Sequence, residues 1–262
     1  MGKFDGILLA SDFDGTLFCK KKISKENSEA LRYFQSEGGM FTLATGREAF
    51  FARKFSKAFR PNVPMVSLNG SVIYDLETDR LLGCRCMRFG DALELFELLR
   101  IHLDRCPKVG VFRIDGACYL YLQRDDLAAQ IRKLDPIVSK ITMFVRKEEC
   151  DDVYETLCRL ADDRFQVTRS CSTIVEIMAA ESGKGNGVRN LAEILGDRVK
   201  KIVCVGDYEN DIPMLKAADI GYAVANGSPA AKAAADRITV PHTHHALAAV
   251  IRDLEREIDG RA

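Results

Sequence analysis

The sequence has little of what marks an exported, membrane-bound or disordered chain. Its only apolar run before Asp12 is Ile7 to Ala10, too short for a signal-peptide core or a membrane span, so neither export nor a membrane role is expected. A start of Met1-Gly2 hints at myristoylation, but Gly6 stands where that pattern wants Ser or Thr. No block of five or more like charges, no proline- or glycine/serine-rich tract and no repeat of fixed period interrupts the chain. Nor is there net charge. Lys+Arg 38 balance Asp+Glu 38, which removes the long-range attraction to phosphate backbones and anionic lipid and excludes an obligatory nucleic-acid binder. No CxxC pair occurs among nine cysteines, an odd number lying mostly in apolar stretches such as Ile202-Val203-Cys204-Val205. They read as reduced packing residues in a cytoplasmic protein, and Cys84 and Cys86, flanking Arg85, read as alternation on a strand rather than half of a metal site.

What is present is a chain of 262 residues, 47% hydrophobic, long enough for a large core and a second domain. Gly6 to Ser11 reads as a strand buried on both faces, followed by a helix behind Ser24 and a second strand, Met40 to Ala44. The capping box at Ser24 is incomplete, since Asn27 stands where Glu or Gln would reach back. The alternation returns with helix Val188–Leu195, strand Lys201–Val205, a helix near Asp211 to Ala218, strand Ile220–Val224, a helix through Ala230 to Ala235, a short strand at Ile238 to Val240 and a last helix from His245 to Ile258. These pieces predict an α/β core with a Rossmann-like, doubly wound parallel sheet. Between them Val109–Ile114 and Ala117–Gln123 flank Asp115-Gly116, a two-residue hairpin signal, among helices near Asp91–His102, Asp126–Lys133 and Cys150–Ala161 and strands at Ile141–Val145, Phe165–Thr168 and Thr173–Met178. That stretch reads as an inserted α+β module, residues 83–183, with the core made of residues 1–82 and 184–262.

Four stretches carry chemistry. Ser11-Asp12-Phe13-Asp14-Gly15-Thr16 follows the first buried strand, where ligands of such sheets bind, and Asp-x-Asp can aim two hard oxygen donors at one Mg²⁺. Thr45-Gly46-Arg47 ends the second strand, and Gly46 lets its backbone N–H approach an anion closely. Lys184 lies in Gly183-Lys184-Gly185; a Walker A loop is excluded, because Met178 and Gly185 occupy positions where it needs Gly and Ser or Thr. Gly206-Asp207-Tyr208-Glu209-Asn210-Asp211 follows the most apolar late strand. Alone, each also fits a plainer role: an Asp-Gly turn, a strand-ending turn, a solvated lysine, an acidic helix start favoured by the helix dipole.

Together, DFDGT, TGR, the Gly-flanked lysine and GDYEND resemble the haloacid dehalogenase (HAD) superfamily of phosphohydrolases, specifically its Cof-like branch with an inserted α+β cap. The resemblance covers nearly the whole chain. It implies a Mg²⁺-dependent phosphatase of small-molecule phosphate esters, such as sugar or cofactor phosphates, working through an aspartyl-phosphate. Asp12 would be the nucleophile and Asp14 the general acid and base. Thr45, Gly46, Lys184 and Asn210 would hold the phosphate, Asp12, Asp207 and the backbone carbonyl of Asp14 the metal, with Asp211 and Arg47 supporting them. It also implies a cap that reads the substrate, where Arg113 and Arg169 stand near strand ends, and it leaves open a sugar phosphomutase or a non-catalytic phosphate- or Mg²⁺-binding sensor. Asn69 in Leu68-Asn69-Gly70 and Asn226 in Ala225-Asn226-Gly227 are turn formers that the same resemblance places near substrate. The tract Pro241-His242-Thr243-His244-His245 departs from the family's pattern and reads as an exposed loop and helix start rather than a metal site.

Overall fold

A computed structural model of the chain describes residues 2–55, 57–99, 106, 108–113, 116–120 and 139–260. The chain divides into two compact units, Met1–Leu82 with Lys184–Ala262, and Gly83–Gly183.

In the first unit, strands β1 (Ile7–Ser11), β2 (Met40–Leu43), β11 (Lys201–Gly206), β12 (Ile220–Val224) and β13 (Arg237–Thr239) form one sheet of order β13-β12-β11-β1-β2, every pair parallel. Every residue of β1, β2 and β12 is buried, as a sheet covered on both faces requires. Alternation along β1 sends Ile7 and Leu9 to one side, against Leu31 and Phe34 of helix Lys25–Ser36 and Val250 and Leu254 of helix Ala246–Ile258. Leu8 and Ala10 face the other side, against Val188 and Leu191 of helix Lys184–Leu195 and Met214 and Leu215 of helix Ile212–Ala217. Helices on both faces make the sheet doubly wound. Ser24 caps the first helix, its Oγ accepting from Asn27 N–H at 3.1 Å. Asn27 explains its own place in the incomplete box: its buried side chain accepts from Ala248 N–H at 3.1 Å, tying the first helix to the last.

A small sheet of order β3-β4-β5, from Met65–Ser67, Val72–Asp75 and Arg80–Cys84, follows β2, and a parallel bridge joins Ala44 to Val66. Between β3 and β4 the chain turns through Leu68, Asn69 and Gly70, all with positive φ (48°, 53° and 86°).

The second unit is an antiparallel sheet of order β7-β6-β8-β10-β9: Lys108–Arg113 is β6, Gly116–Leu120 β7, Lys140–Phe144 β8, Phe165–Cys171 β9 and Ile174–Ala179 β10. One face, with Val111, Ile141, Met143 and Val175, packs on helices Phe89–Leu99 and Cys150–Leu160 through Ala92, Leu95, Val153 and Leu157. The hairpin read from Asp115-Gly116 exists but sits one residue earlier: Gly116 already pairs with Arg113, so the connection is residues 114 and 115, outside the described residues. Strand β9 runs to Cys171 rather than Thr168, because its partner β10 keeps pairing with it as far as Ile174. The helix expected near 126–133 lies outside the described residues. Among the described residues no helix is long and apolar enough to cross a membrane.

Candidate active site

The parallel pairing of β1 with β11, Ala10 opposite Cys204 and Ser11 opposite Val205, sets the chain after β1 beside the chain after β11. Two motifs 190 residues apart in sequence thereby share one sheet end: Thr16 Oγ1 donates to Asp207 Oδ1 at 3.0 Å across 191 positions. Asp12, the first residue past β1, donates its N–H to Val205 O at 2.9 Å and is 6% exposed. Gly15 is required where it stands. Its φ is +83°, and a Cβ there would lie 2.5 Å from Asp207 Oδ2.

Lys184 opens helix Lys184–Leu195 and is 1% exposed. Its Nζ donates to Asp12 Oδ1 at 2.5 Å and to Asp211 Oδ1 at 2.6 Å. The approach of that helix depends on glycines: a Cβ on Gly187 would meet Gly70 Cα at 2.7 Å, and one on Gly185 would meet the Pro213 carbonyl oxygen at 2.4 Å. Asp211 is fully buried and its second oxygen accepts from the N–H groups of Asp207 (2.8 Å) and Tyr208 (3.0 Å), so it fixes the loop after β11 while holding the lysine.

Oxygens of Asp12, Asp207 and Asp211 lie within 4.8 Å of one another, the group of metal-capable side chains found among the described residues. Among the described residues Lys184 is the ammonium paired within this group, and the excess negative charge raises the proton affinity of Asp12 and Asp207. Burial pushes Asp12 well above the usual carboxylate range and Asp211 and Asp207 add to it, against the pull of Lys184. Burial and Asp211 push Asp207 up to about 7, which Lys184, Thr16 and Asp12 only partly offset. Burial would lower Lys184, but Asp12 and Asp211 outweigh it and hold the ammonium charged. Hard oxygen donors with unneutralised charge suit a divalent cation such as Mg²⁺. With both oxygens of Asp211 engaged, the carboxylates left to bind one are Asp12 and Asp207.

Asp14 stands apart from that group. Its exposed carboxylate takes a two-pronged contact from Arg47, Nε to Oδ2 at 2.6 Å and Nη2 to Oδ1 at 2.7 Å, which raises the guanidinium's proton affinity further. Arg47 is in turn held over the rings of Phe13 and Phe51, 5.3 and 5.2 Å from their centroids. Thr45 is buried, its Oγ1 accepting from Arg47 N–H at 3.1 Å, with Gly46 between them. Asn210 Nδ2 donates to Asn69 Oδ1 at 3.3 Å, joining the positive-φ turn after β3 to the loop after β11.

The remaining candidates have other partners. Asn226 accepts from His242 N–H at 2.7 Å and so anchors the histidine loop. His244 Nδ1 meets Thr243 Oγ1 at 2.9 Å and His245 Nδ1 lies 3.4 Å from Glu26; none of the three histidines belongs to a metal-capable group among the described residues. Arg169 pairs with Asp151 and covers the Tyr154 ring at 4.7 Å, so it serves the helix-covered side of its own sheet. Two features of the site go beyond the sequence expectations: Thr16 as a hydrogen-bond donor to Asp207, and Phe13 and Phe51 as the seat of Arg47. Thr16 was visible as the last letter of DFDGT; the aromatic seat had no local signal.

The family model described as haloacid dehalogenase-like hydrolase matches residues 9–251. A phosphoglycolate phosphatase of Methanosarcina acetivorans is 30% identical over 90% of this chain and 90% of its own length. Pyridoxal phosphate phosphatase of Escherichia coli is 26% identical over 93% of this chain and 97% of its own. Among solved structures, a haloacid dehalogenase-like hydrolase from Bacillus subtilis superposes with a TM-score of 0.78 at 23% identity, covering 94% of this chain and 98% of that one.

Proposed function

The chain belongs to the haloacid dehalogenase-like hydrolases, and from that premise we propose that it is a Mg²⁺-dependent phosphatase of small-molecule phosphate monoesters, sugar or cofactor phosphates. One observation carries the reading: Asp12, buried at the end of β1, is held by Lys184 at 2.5 Å and grouped with Asp207. A solvated turn would need none of this.

Asp12 attacks the phosphorus atom, the ester oxygen leaves, and an aspartyl-phosphate forms; water then attacks that phosphorus and frees the carboxylate and inorganic phosphate. Asp14 gives a proton to the departing alkoxide and takes one from the water. Its pairing with Arg47 keeps the carboxyl at a set place before substrate arrives. Thr45, the Gly46 N–H, Lys184 and Asn210 bind the phosphoryl oxygens, while Asp211 positions Lys184. Asp12, Asp207 and the backbone carbonyl of Asp14 would hold Mg²⁺, which would supply charge neutralisation for the transferring group. Residues 83–183 read the organic part of the substrate and exclude water.

The test is phosphate release with Mg²⁺ from a panel of sugar, nucleotide and cofactor phosphates. Asp12→Asn should lose at least about 10³-fold in turnover, about 4 kcal/mol of barrier, with its fold intact. EDTA-sensitive hydrolysis retained by that variant would remove Asp12 from the reaction.

A further inference from the structure

We infer that Cys84 and Cys86 form a redox-active dithiol that reacts with low-molecular-weight disulfides and closes into an intramolecular disulfide. The two lie at the end of β5 and just beyond it, both half-buried, with Arg85 exposed between them. Strand-like alternation sends both side chains the same way. Their sulfurs are 2.6 Å apart, within about 0.6 Å of the bonded distance. Ser139 Oγ lies 3.2 Å from the Cys86 sulfur and completes its polar surroundings.

This pair differs in kind from the cysteines that pack cores. Cys106, Cys150 and Cys204 are at most 2% exposed, and burial pushes the thiols of Cys106 (to about 11) and Cys204 upward. In the pair the directions split. A hydrogen bond from Cys84, helped by Ser139 and opposed by burial, brings Cys86 down to about 7, while bonding to Cys86 and burial push Cys84 up. Cys86, whose sulfur has Ser139 Oγ 3.2 Å away in addition to Cys84, is assigned as the attacking thiol and Cys84 as the one that resolves its product.

The reaction balances without any other reagent. The Cys86 thiolate attacks one sulfur of RSSR, forming Cys86–S–S–R and releasing RS⁻. Cys84 then loses its proton and attacks the Cys86 sulfur, displacing the second RS⁻. The protein gives up two electrons, RSSR gains them, and two RSH appear for each protein disulfide formed.

The test treats the fully reduced, full-length protein with equimolar glutathione disulfide and counts thiols. Nine thiols should fall to seven, two equivalents of glutathione should be released, and a proteolytic map should find Cys84 linked to Cys86. Cys84→Ser should stop at the mixed disulfide, with one glutathione on Cys86, and Cys86→Ser should form no link. Nine surviving thiols, or loss mapped to the exposed Cys158 in place of the pair, would overturn the inference. The wild-type map decides the matter even if a variant folds poorly.

Discussion

Lys184→Met keeps an unbranched stem in the same buried space and deletes the ammonium that pairs with both Asp12 and Asp211. Removing one partner of a buried ion pair costs about 3–5 kcal/mol, because the other charge stays desolvated and unpaired. Lys184 serves two carboxylates at 2.5 and 2.6 Å, so the loss at neutral pH belongs at the upper end, about 5 kcal/mol. The cluster can respond by binding protons. Asp12 and Asp207 already sit above the carboxylate range, and without the ammonium they rise further. An acid with a raised folded-state pKa holds a proton where the unfolded chain has lost it, so its stabilising share is complete below the unfolded pKa, about 3.9, and disappears as pH rises through the folded value. One extra proton retained by the variant from pH 5.5 to 7.5 gives a slope of about 1.4 kcal/mol per pH unit, or about 2.7 kcal/mol over that interval. Urea unfolding in EDTA, with separate transitions fitted separately, should therefore show a deficit of several kcal/mol at pH 7.5 that narrows at pH 5.5. A deficit under about 1 kcal/mol at pH 7.5, or one equal at both pH values, would refute the assignment of Lys184 as the charge that holds the cluster together.

The other predictions concern the metal and the proton. Because Asp207 is pushed up to about 7 without a cation, Mg²⁺ must displace its proton below neutrality; Mg²⁺ affinity measured calorimetrically should fall about tenfold from pH 8 to pH 6, and an affinity independent of pH would contradict the assignment. Gly15→Ala adds a Cβ 2.5 Å from Asp207 Oδ2 at a φ of +83°, so Mg²⁺ binding should weaken about tenfold or more and Tm should drop, whereas unchanged binding would show that the loop yields freely. Asp14→Asn should reduce hydrolysis of alkyl phosphates more than that of activated aryl phosphates, since only poor leaving groups need the proton; equal losses would count against Asp14 as the acid.

How much of this was readable from residues alone depends on the range of the forces involved. The buried strands were legible because burial on both faces leaves unbroken apolar runs such as Ile202 to Val205, and their ends were legible because those runs give way to polar residues, Ser11-Asp12 after the first and Gly206-Asp207 after the later one. Asp12 and Asp207 could be picked out because each follows a strand that local pattern defines, whereas Thr45 and Lys184 depended on the family resemblance; the expected helix began at Val188, and the structure starts it at Lys184. Their mutual arrangement was not legible, since Lys184 meets Asp12 across 172 positions and its distance is set by sheet register and by helix approach at Gly185 and Gly187. The division of labour among the aspartates also needed three dimensions. Asp211 reads in sequence as an acid at a helix start, yet its burial and its grip on Lys184 and two backbone N–H groups make it part of the charge cluster. Asp14, one residue from Phe13, reads as a twin of Asp12, yet its side chain leaves the cluster for Arg47. That separation is what the proposed chemistry requires. The proposed reaction gives the two carboxylates different tasks, attack on phosphorus and proton transfer, and their side chains have different partners, Lys184 for Asp12 and Arg47 for Asp14.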